Sequence, residues 1–252
     1  MYVPDTNKQA YESEAVVGFY SDYTRLQKPE ETILNILRPG LGNMNMLDIG
    51  VGAGRTTIHF AMLVKGYVGI DYSQGMIDAC LRNFPEAASK GFSFKVCDAR
   101  SLTDFEDGSF DFVLFSFNGI DLMSHEDRLR TLREIKRLCS KEGRFCFSTH
   151  NLQTLRTIHL CKNPIVLVRR ISKYFAFRNT PLQTKWAIIP GGESGHELAV
   201  YYVRPRHQIG QLRDLGFGDI RIFGLTDGKE ITGESELDAR GDDWLYYLCS
   251  VE

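Results

Sequence analysis

Short apolar runs alternate with amphipathic helical segments through the middle of this 252-residue chain, and this alternation constrains its fold more than any other feature. The strand-like runs lie at 45–49, 67–70, 92–97, 110–117 and 144–148. Helical periodicity separates them at 56–65, 73–84 and 125–139. Strands joined by helices of about 10–15 residues predict a parallel sheet with helices packed on both faces.

The flanking segments complete one predicted domain. Residues 11–38 read as helical up to Pro39-Gly40. The alternation is interrupted at 150–203, where strand-like runs at 183–189 and 198–203 follow two apolar helical pieces. A helix at 205–215 and strands at 217–224 and 244–251 close the chain. We expect a single domain, 1–252, made of a helical cap at 1–44, a core at 45–149, a lid insertion at 150–203 and a C-terminal helix with two strands at 204–252.

Composition narrows the class of protein. A net charge of -2, 25% charged residues and 43% hydrophobic residues exclude global disorder and fibrous classes, and argue against a strongly basic nucleic-acid binder. The six cysteines have neither CxxC nor zinc spacing, which favours free thiols and no metal site. There is no secretory signal pattern and no apolar run near the ~18 residues of a membrane span. We therefore expect a cytoplasmic protein.

A glycine-rich segment, LDIGVGAG at 47–54, follows the first core strand and precedes a helix. Glycines at such a turn let the backbone bend tightly and approach a ligand. The spacing departs from the dinucleotide fingerprint GxGxxG. The third glycine comes one residue early, at Gly54, and the position where the fingerprint requires that glycine holds Arg55. No Gly-Lys-Ser/Thr follows, which excludes a P-loop. The segment predicts a ligand site of another kind at this strand end.

Polar residues also stand at the ends of the next three strands. Asp71 ends the second strand, Asp98-Ala99 follows the third, and Phe117-Asn118 follows the fourth. Together with Asp48 and the glycine segment, this order resembles class I S-adenosylmethionine (SAM) dependent methyltransferases over residues 45–150. The resemblance implies a Rossmann-like, doubly wound, seven-stranded mixed sheet with a lid insertion, and SAM as cofactor.

The resemblance also implies residue roles. Asp71 would bind the ribose hydroxyls, Asp98 and Ala99 the adenine, and Phe117 and Asn118 the methionine portion of SAM. A tyrosine of an N-terminal helix would lie near the sulfonium, whose charge a ring face attracts. The expected cofactor-binding residues are Tyr20, Asp48, Gly50, Gly52, Gly54, Arg55, Asp71, Tyr72, Met76, Asp98, Ala99, Arg100, Phe117 and Asn118.

Acceptor-side residues are expected after the fourth and fifth strands and in the N-terminal helix. His150 is the leading general-base candidate, since imidazole titrates near working pH; a histidine that only bonds the crevice wall is the alternative. Asp121 would bind an acceptor amine or take its proton; a helix N-terminal acid or a solvent-exposed loop carboxylate is the alternative. The remaining acceptor candidates are Tyr23, which equally suits helix packing, His125 and Asn151.

A basic stretch complicates the choice of acceptor. Residues 143–192 contain eight Lys and Arg side chains and no Asp or Glu. They suit a lid that binds an acidic group of the acceptor, a docking surface for RNA or an anionic membrane, or a solvated face balanced by the acidic segment 226–243. We expect direct transfer of the methyl group to oxygen or nitrogen of a small molecule without nucleic-acid partners. An RNA- or protein-modifying enzyme and a non-catalytic SAM-binding protein remain alternatives; the oligomeric state is open.

Overall fold

A computed structural model describes residues 14–156, 167–168, 171, 175, 183–190 and 199–252. In this part of the chain ten strands form one sheet, in the order β3-β2-β1-β4-β5-β10-β8-β9, with β7 paired to β5 and β6 to β7. The strands are β1 Asn45–Ile49, β2 Gly66–Asp71, β3 Phe92–Val96, β4 Phe110–Phe115, β5 Cys139–Asn151, β6 Trp186–Pro190, β7 Ala199–Val203, β8 Phe217–Gly224, β9 Glu230–Ile231 and β10 Trp244–Val251.

The helices connect these strands and cover the sheet. They are α1 Glu14–Asp22, α2 Lys28–Leu41, α3 Thr57–Phe60, α4 Gln74–Asn83, α5 His125–Leu138, α6 Pro205–Asp214 and α7 Glu234–Ala239. Short 3₁₀ turns span Ala88–Lys90, Gly119–Leu122 and Leu152–Arg156. None of the helices in the described ranges has the length and apolarity needed to cross a membrane.

The sheet separates two hydrophobic clusters. In β1, Leu47 packs in the cluster that holds Leu132 of α5, whereas Met46 packs in the cluster that holds Ile33 of α2. Successive strand residues point to opposite faces, so a strand covered on both sides is apolar throughout. This explains the continuous apolar runs of the core strands and confirms the predicted mixed α/β architecture.

The predicted seven strands are present, but the described sheet is larger. Strands β1 to β5 are parallel, and β10 and β8 are antiparallel, as expected. The count of seven is wrong because β6, β7 and β9 join the same sheet. Strands β6 and β7 belong to the predicted lid, and β7 pairs with the end of β5. Most of the lid's helical region lies outside the described residues.

Two helix boundaries also differ from the prediction. The N-terminal helical region is divided into α1 and α2, and α2 begins where the backbone N–H of Gln27 donates to Glu30 Oε2 at 2.7 Å. Pro39 does not end α2, which continues to Leu41. A proline near a helix end removes only one hydrogen bond from the last turns. The described cysteines, Cys80, Cys97, Cys139, Cys146 and Cys249, are free thiols.

Candidate active site

A cleft opens where the carboxyl ends of β1 to β4 meet, the edge at which open α/β sheets bind ligands. Twelve of the predicted cofactor residues line it: Tyr20, Asp48, Gly50, Gly52, Arg55, Asp71, Tyr72, Met76, Asp98, Ala99, Arg100 and Phe117. The sequence reasoning missed ten other lining residues, most of them next to those positions: Ile49, Val51, Ala53, Thr56, Cys97, Phe115, Ser116, Gly119, Leu122 and Met123. Gly54 and Asn118 lie outside this lining set.

The three glycines of the loop all have a positive φ, at 65° for Gly50, 58° for Gly52 and 94° for Gly54. A Cβ at Gly52 would meet no atom within 4 Å, so this residue leaves room beside the cleft. A Cβ at Gly54 would lie 2.3 Å from the Phe84 ring. Gly54 is therefore needed for packing behind the loop, which corrects its predicted place on the ligand side.

Asp71 ends β2 at the cleft wall. Its Oδ2 accepts a hydrogen bond from the Gly52 N–H at 3.0 Å, and its Oδ1 accepts one from the Ser73 N–H at 2.9 Å. Burial raises the pKa of this carboxyl to about 6. The Tyr72 backbone N–H donates to the same carboxylate. A carboxylate has about four lone-pair sites, so Asp71 can still accept a bond from a ligand hydroxyl.

Asp48 is held at the floor of the cleft. The Tyr67 hydroxyl donates to Asp48 Oδ2 at 2.6 Å, and the Thr56 hydroxyl donates to the same oxygen. Burial raises the pKa of Asp48 to about 6. Asp48 therefore fixes the glycine loop to β2 while contributing negative potential to the cleft.

Asp98 follows β3 and forms an ion pair with Arg100. The Arg100 backbone N–H donates to Asp98 Oδ1 at 2.9 Å, and the Arg100 guanidinium lies 2.5 Å from Oδ2. Both residues line the cleft, and the Asp98 side chain is 40% exposed. The pair presents a donor and an acceptor together, which suits a heteroaromatic base with mixed hydrogen-bonding groups.

Arg55 lines the cleft but is committed to a buried ion pair. Its Nη1 and Nη2 donate to Glu30 Oε2 and Oε1 at 2.6 and 2.7 Å, and Nη2 also donates to Ser116 Oγ at 2.7 Å. Burial acts to raise the pKa of Glu30, yet Arg55 holds it below its ordinary value. Glu30 lies in α2, so this pair fastens the helical cap to the glycine loop.

Aromatic rings gather around Phe117. The ring centroids of Tyr20, Tyr23 and Trp244 lie 6.3, 5.8 and 6.3 Å from that of Phe117. Phe117 and Asn118 both have positive φ, at 55° and 62°. Such backbone conformations are uncommon outside glycine and cluster at functional sites. The turn after β4 therefore presents a ring to the cleft at some cost in backbone energy.

Asn118 is buried at this turn. Its backbone N–H donates to Ser148 Oγ at 2.8 Å. Its Oδ1 is buried without a hydrogen-bond partner in the described structure. A buried carbonyl oxygen without a donor is unfavourable, and an ammonium or hydroxyl of a ligand is one group that would satisfy it.

His150 and Asp121 form a hydrogen-bonded pair. His150 Nδ1 and the His150 backbone N–H each lie 2.7 Å from Asp121 Oδ2. The Asp121 carboxylate is fully buried and pairs with the equally buried Arg128 at 2.6 Å. A direct contact of Asp121 with an acceptor amine is therefore wrong: its oxygens are enclosed by protein groups, and His150 is the exposed member of the pair.

Two other residues predicted to contact the methyl acceptor, His125 and Asn151, form contacts within the protein instead. His125 stacks on Trp186 with ring centroids 4.3 Å apart and bonds the Tyr201 hydroxyl at 2.8 Å, so it packs α5 against β6 and β7. Asn151 is buried, and its Nδ2 donates to the Asp242 carbonyl at 3.3 Å. Strand alternation explains this, since Asn151 points to the face opposite His150. Both expectations are corrected by these contacts.

Comparison with known proteins adds to this geometry. Residues 46–143 match the sequence model of a methyltransferase domain. The matched segment runs from β1 into β5. The match covers the glycine loop and the ends of β1 to β4, so most residues of the cleft lie within the methyltransferase-like segment.

Curated methyltransferases resemble part of the chain. An uncharacterized methyltransferase of Bacillus subtilis, YcgJ, is 30% identical over 105 residues, 42% of this chain and 40% of the relative. A demethylmenaquinone methyltransferase of Lactococcus lactis is 32% identical over 113 residues, 43% of each chain. A tRNA (guanine-N(7)-)-methyltransferase of Streptococcus pneumoniae is 29% identical over 139 residues, 49% of this chain and 66% of the relative. The chain thus spans less than half of the first two.

Solved structures of methyltransferases share the fold over most of this chain. A SAM-dependent methyltransferase of Methanosarcina mazei has a TM-score of 0.58 at 22% identity and covers 87% of this chain and 96% of its own. A 1,6-didemethyltoxoflavin-N1-methyltransferase of Burkholderia thailandensis has a TM-score of 0.62 at 13% identity, covering 100% of this chain and 91% of its own.

The acidic segment 226–243 has local partners among the described residues. Arg206 of α6 pairs with Glu234 and Asp238 at 2.9 and 2.7 Å. Arg221 of β8 pairs with Glu230 at 2.6 Å. These contacts weaken the interpretation that this segment balances the basic stretch of the predicted lid.

Proposed function

We propose that this chain is an active SAM-dependent methyltransferase that methylates an oxygen or nitrogen of a small-molecule acceptor. The observation that carries the proposal is the convergence of the glycine loop, Asp71 and the Asp98–Arg100 pair on one cleft. When bound, SAM supplies an electrophilic methyl group whose leaving group is a neutral thioether. The chain's residues then need to hold the two reactants in line and exclude water.

The residues of the cleft fit this cofactor. Asp71 would accept hydrogen bonds from the ribose hydroxyls through the accepting capacity that the backbone N–H groups of Gly52, Tyr72 and Ser73 leave open. Asp98 and Arg100 would meet the adenine edge. The unpartnered Oδ1 of Asn118 would accept from the ammonium of the methionine portion. Tyr20 and Phe117 would place ring faces near the sulfonium.

The elements beside the cleft support a small-molecule acceptor. Tyr20 and Tyr23 of the helical cap contact Phe117, and β6 and β7 extend the sheet beside β5. We propose that the acceptor carries an acidic group, which the excess of Lys and Arg over residues 143–192 would bind. Isothermal calorimetry with SAM and S-adenosylhomocysteine, followed by radiolabel transfer to a small-molecule panel, tests the proposal. No binding of either compound would contradict it.

An RNA acceptor is the second candidate. The basic stretch and the similarity to a tRNA methyltransferase favour it. Binding that neutralises phosphates weakens steeply with salt. Retention of a tRNA pool at low salt, lost between about 50 and 200 mM salt, together with methyl transfer to that RNA, would replace the small-molecule proposal.

A further inference from the structure

The end of β5 carries a row of three rings that the sheet register sets side by side. His150 pairs with Trp244 of β10 on one side and with Tyr202 of β7 on the other. Directly paired residues of adjacent strands share a face. The ring centroid of His150 accordingly lies 4.8 Å from that of Tyr202 and 5.8 Å from that of Trp244. The Tyr202 and Trp244 rings are inclined to the imidazole by 42° and 63°, so the row forms an aromatic cluster around His150.

The row is connected to the cofactor cleft. The Trp244 ring lies 6.3 Å from Phe117, which lines the cleft. Two residues before His150 on the same face of β5, Ser148 accepts the Asn118 N–H at 2.8 Å. The imidazole therefore stands beside the turn that presents Phe117, on the acceptor side of the cleft.

Asp121 fixes the orientation of this imidazole. His150 Nδ1 lies 2.7 Å from Asp121 Oδ2, which cannot donate when ionised, so Nδ1 carries the proton. Asp121 is in turn held by Arg128 at 2.6 Å and by the Thr149 hydroxyl at 2.7 Å. All three partners are buried. In the neutral imidazole Nε2 is then the bare, proton-accepting nitrogen.

We propose that the acceptor is a hydroxyl on an aromatic ring, with His150 as its general base and Asp121 as the positioning residue; this rests on the proposed methyltransferase function. The aromatic row binds the acceptor's ring, and the hydroxyl proton passes to His150 Nε2. The oxygen lone pair forms the new C–O bond to the methyl carbon, and the electron pair of the broken C–S bond stays on sulfur. His150 then returns its proton to solvent. An amine acceptor is nucleophilic without losing a proton first, and needs no such base.

The first test measures tautomers and needs no acceptor. In the protein labelled with ¹⁵N-histidine, the His150 signals are those lost in His150→Gln. We expect a protonated Nδ1 and a bare Nε2 for neutral His150. We expect Asp121→Asn to change this tautomer ratio. A wild-type imidazole with its proton on Nε2 would overturn the assignment, even if the Asp121 variant does not fold.

The second test uses para-substituted phenols, from phenol to 4-nitrophenol, with matched anilines as the amine probes. His150→Gln should lower kcat by roughly 100-fold for phenol, with KM changed little, and by much less for the already acidic 4-nitrophenol. His207→Gln is the matched control and should leave all rates unchanged. Equal losses across the phenols, or methylation of anilines alone, would overturn the inference.

The same variants separate this inference from the proposed function. His150→Gln should bind S-adenosylhomocysteine as tightly as the wild type, because His150 lies outside the lining of the cofactor cleft. A wild-type protein that binds neither SAM nor S-adenosylhomocysteine contradicts the proposed function. A protein that binds both and methylates only anilines contradicts the phenolic acceptor alone.

Discussion

The Gly52 backbone N–H donates a hydrogen bond to Asp71 Oδ2 at 3.0 Å, joining the glycine loop to the end of β2. One carboxylate thus shapes the loop with part of its accepting capacity and offers the rest to the cleft. This arrangement links the two sequence features from which the cofactor site was predicted, although they stand 19 residues apart. The predictions below start from it.

Asp71→Asn should weaken SAM binding by about 2 kcal/mol, roughly 30-fold, because a neutral amide replaces a charged acceptor of the ribose hydroxyls. Calorimetry on the purified variant measures this change. Asp214→Asn, at an exposed position of α6, is the matched control and should bind SAM normally. An Asp71 variant with wild-type affinity would mean that the ribose lies elsewhere.

SAM affinity should fall as the pH is lowered through about 6. Burial raises the pKa of Asp71 to about 6, so the carboxylate is ionised above that pH and protonated below it. Protonation removes acceptor capacity that the ribose needs. Asp48, with a pKa also raised to about 6, adds to the same trend. Dissociation constants measured from pH 5 to 8 should depend less on pH in Asp71→Asn than in the wild type; an identical dependence would exclude Asp71 as a source.

These raised pKa values also affect stability. A carboxyl whose pKa is higher in the folded than in the unfolded protein binds its proton more tightly when folded. The protein without cofactor should therefore gain free energy of unfolding from Asp48 and Asp71 as the pH falls from about 7 towards 5. Urea unfolding at several pH values measures this. The gain in free energy of unfolding should be smaller in Asp71→Asn. An unchanged gain would contradict a raised pKa for Asp71.

Glu30→Gln should lower the free energy of unfolding by about 3–5 kcal/mol, because it leaves the buried Arg55 guanidinium without its counter-charge. Urea or thermal unfolding measures the loss. Glu86→Gln is the matched control, because the Glu86–Lys90 pair is exposed and its loss should leave the free energy of unfolding nearly unchanged. Equal stabilities of the two variants would show that the Glu30–Arg55 pair does not fasten the cap.

Gly54→Ala should destabilise the fold by about 2 kcal/mol or more, since it adds a Cβ at φ 94° and 2.3 Å from the Phe84 ring. Gly42→Ala is the matched control: its φ is -61°, and a Cβ there would meet no atom within 4 Å. Its effect should stay within about 1 kcal/mol of zero. Comparable losses in both variants would contradict the packing role of Gly54.

The sequence predicts the core of the fold because its information is local. Apolar runs, helical periodicity and the glycine loop each follow from neighbouring residues. The strand-like runs at 183–189 and 198–203 were predicted as well, yet their place in the sheet was not. Pairing of β7 with β5 joins residues about 50 positions apart, and no periodicity encodes that partner.

In the candidate site, too, residues with a local sequence signal could be predicted, whereas contacts between distant residues could not. Asp71 and Asp98 could be placed because each follows a recognisable strand. Glu30 could not, since its partner Arg55 is 25 residues away and an acid early in a helix is ordinarily exposed. Asn151 was placed on the acceptor side with His150, but the longer β5 turns alternate residues to opposite faces. Strand length, which the apolar pattern at 144–148 underestimated, decided that outcome.

Calorimetric titration of the wild-type chain with S-adenosylhomocysteine tests the central claim most directly. We expect saturable binding of one S-adenosylhomocysteine per chain, weakened in Asp71→Asn and unchanged in Asp214→Asn. No heat of binding to the folded wild-type protein, with unfolding temperatures equal in the presence and absence of S-adenosylhomocysteine, would contradict the claim that the cleft at the ends of β1 to β4 is a SAM site.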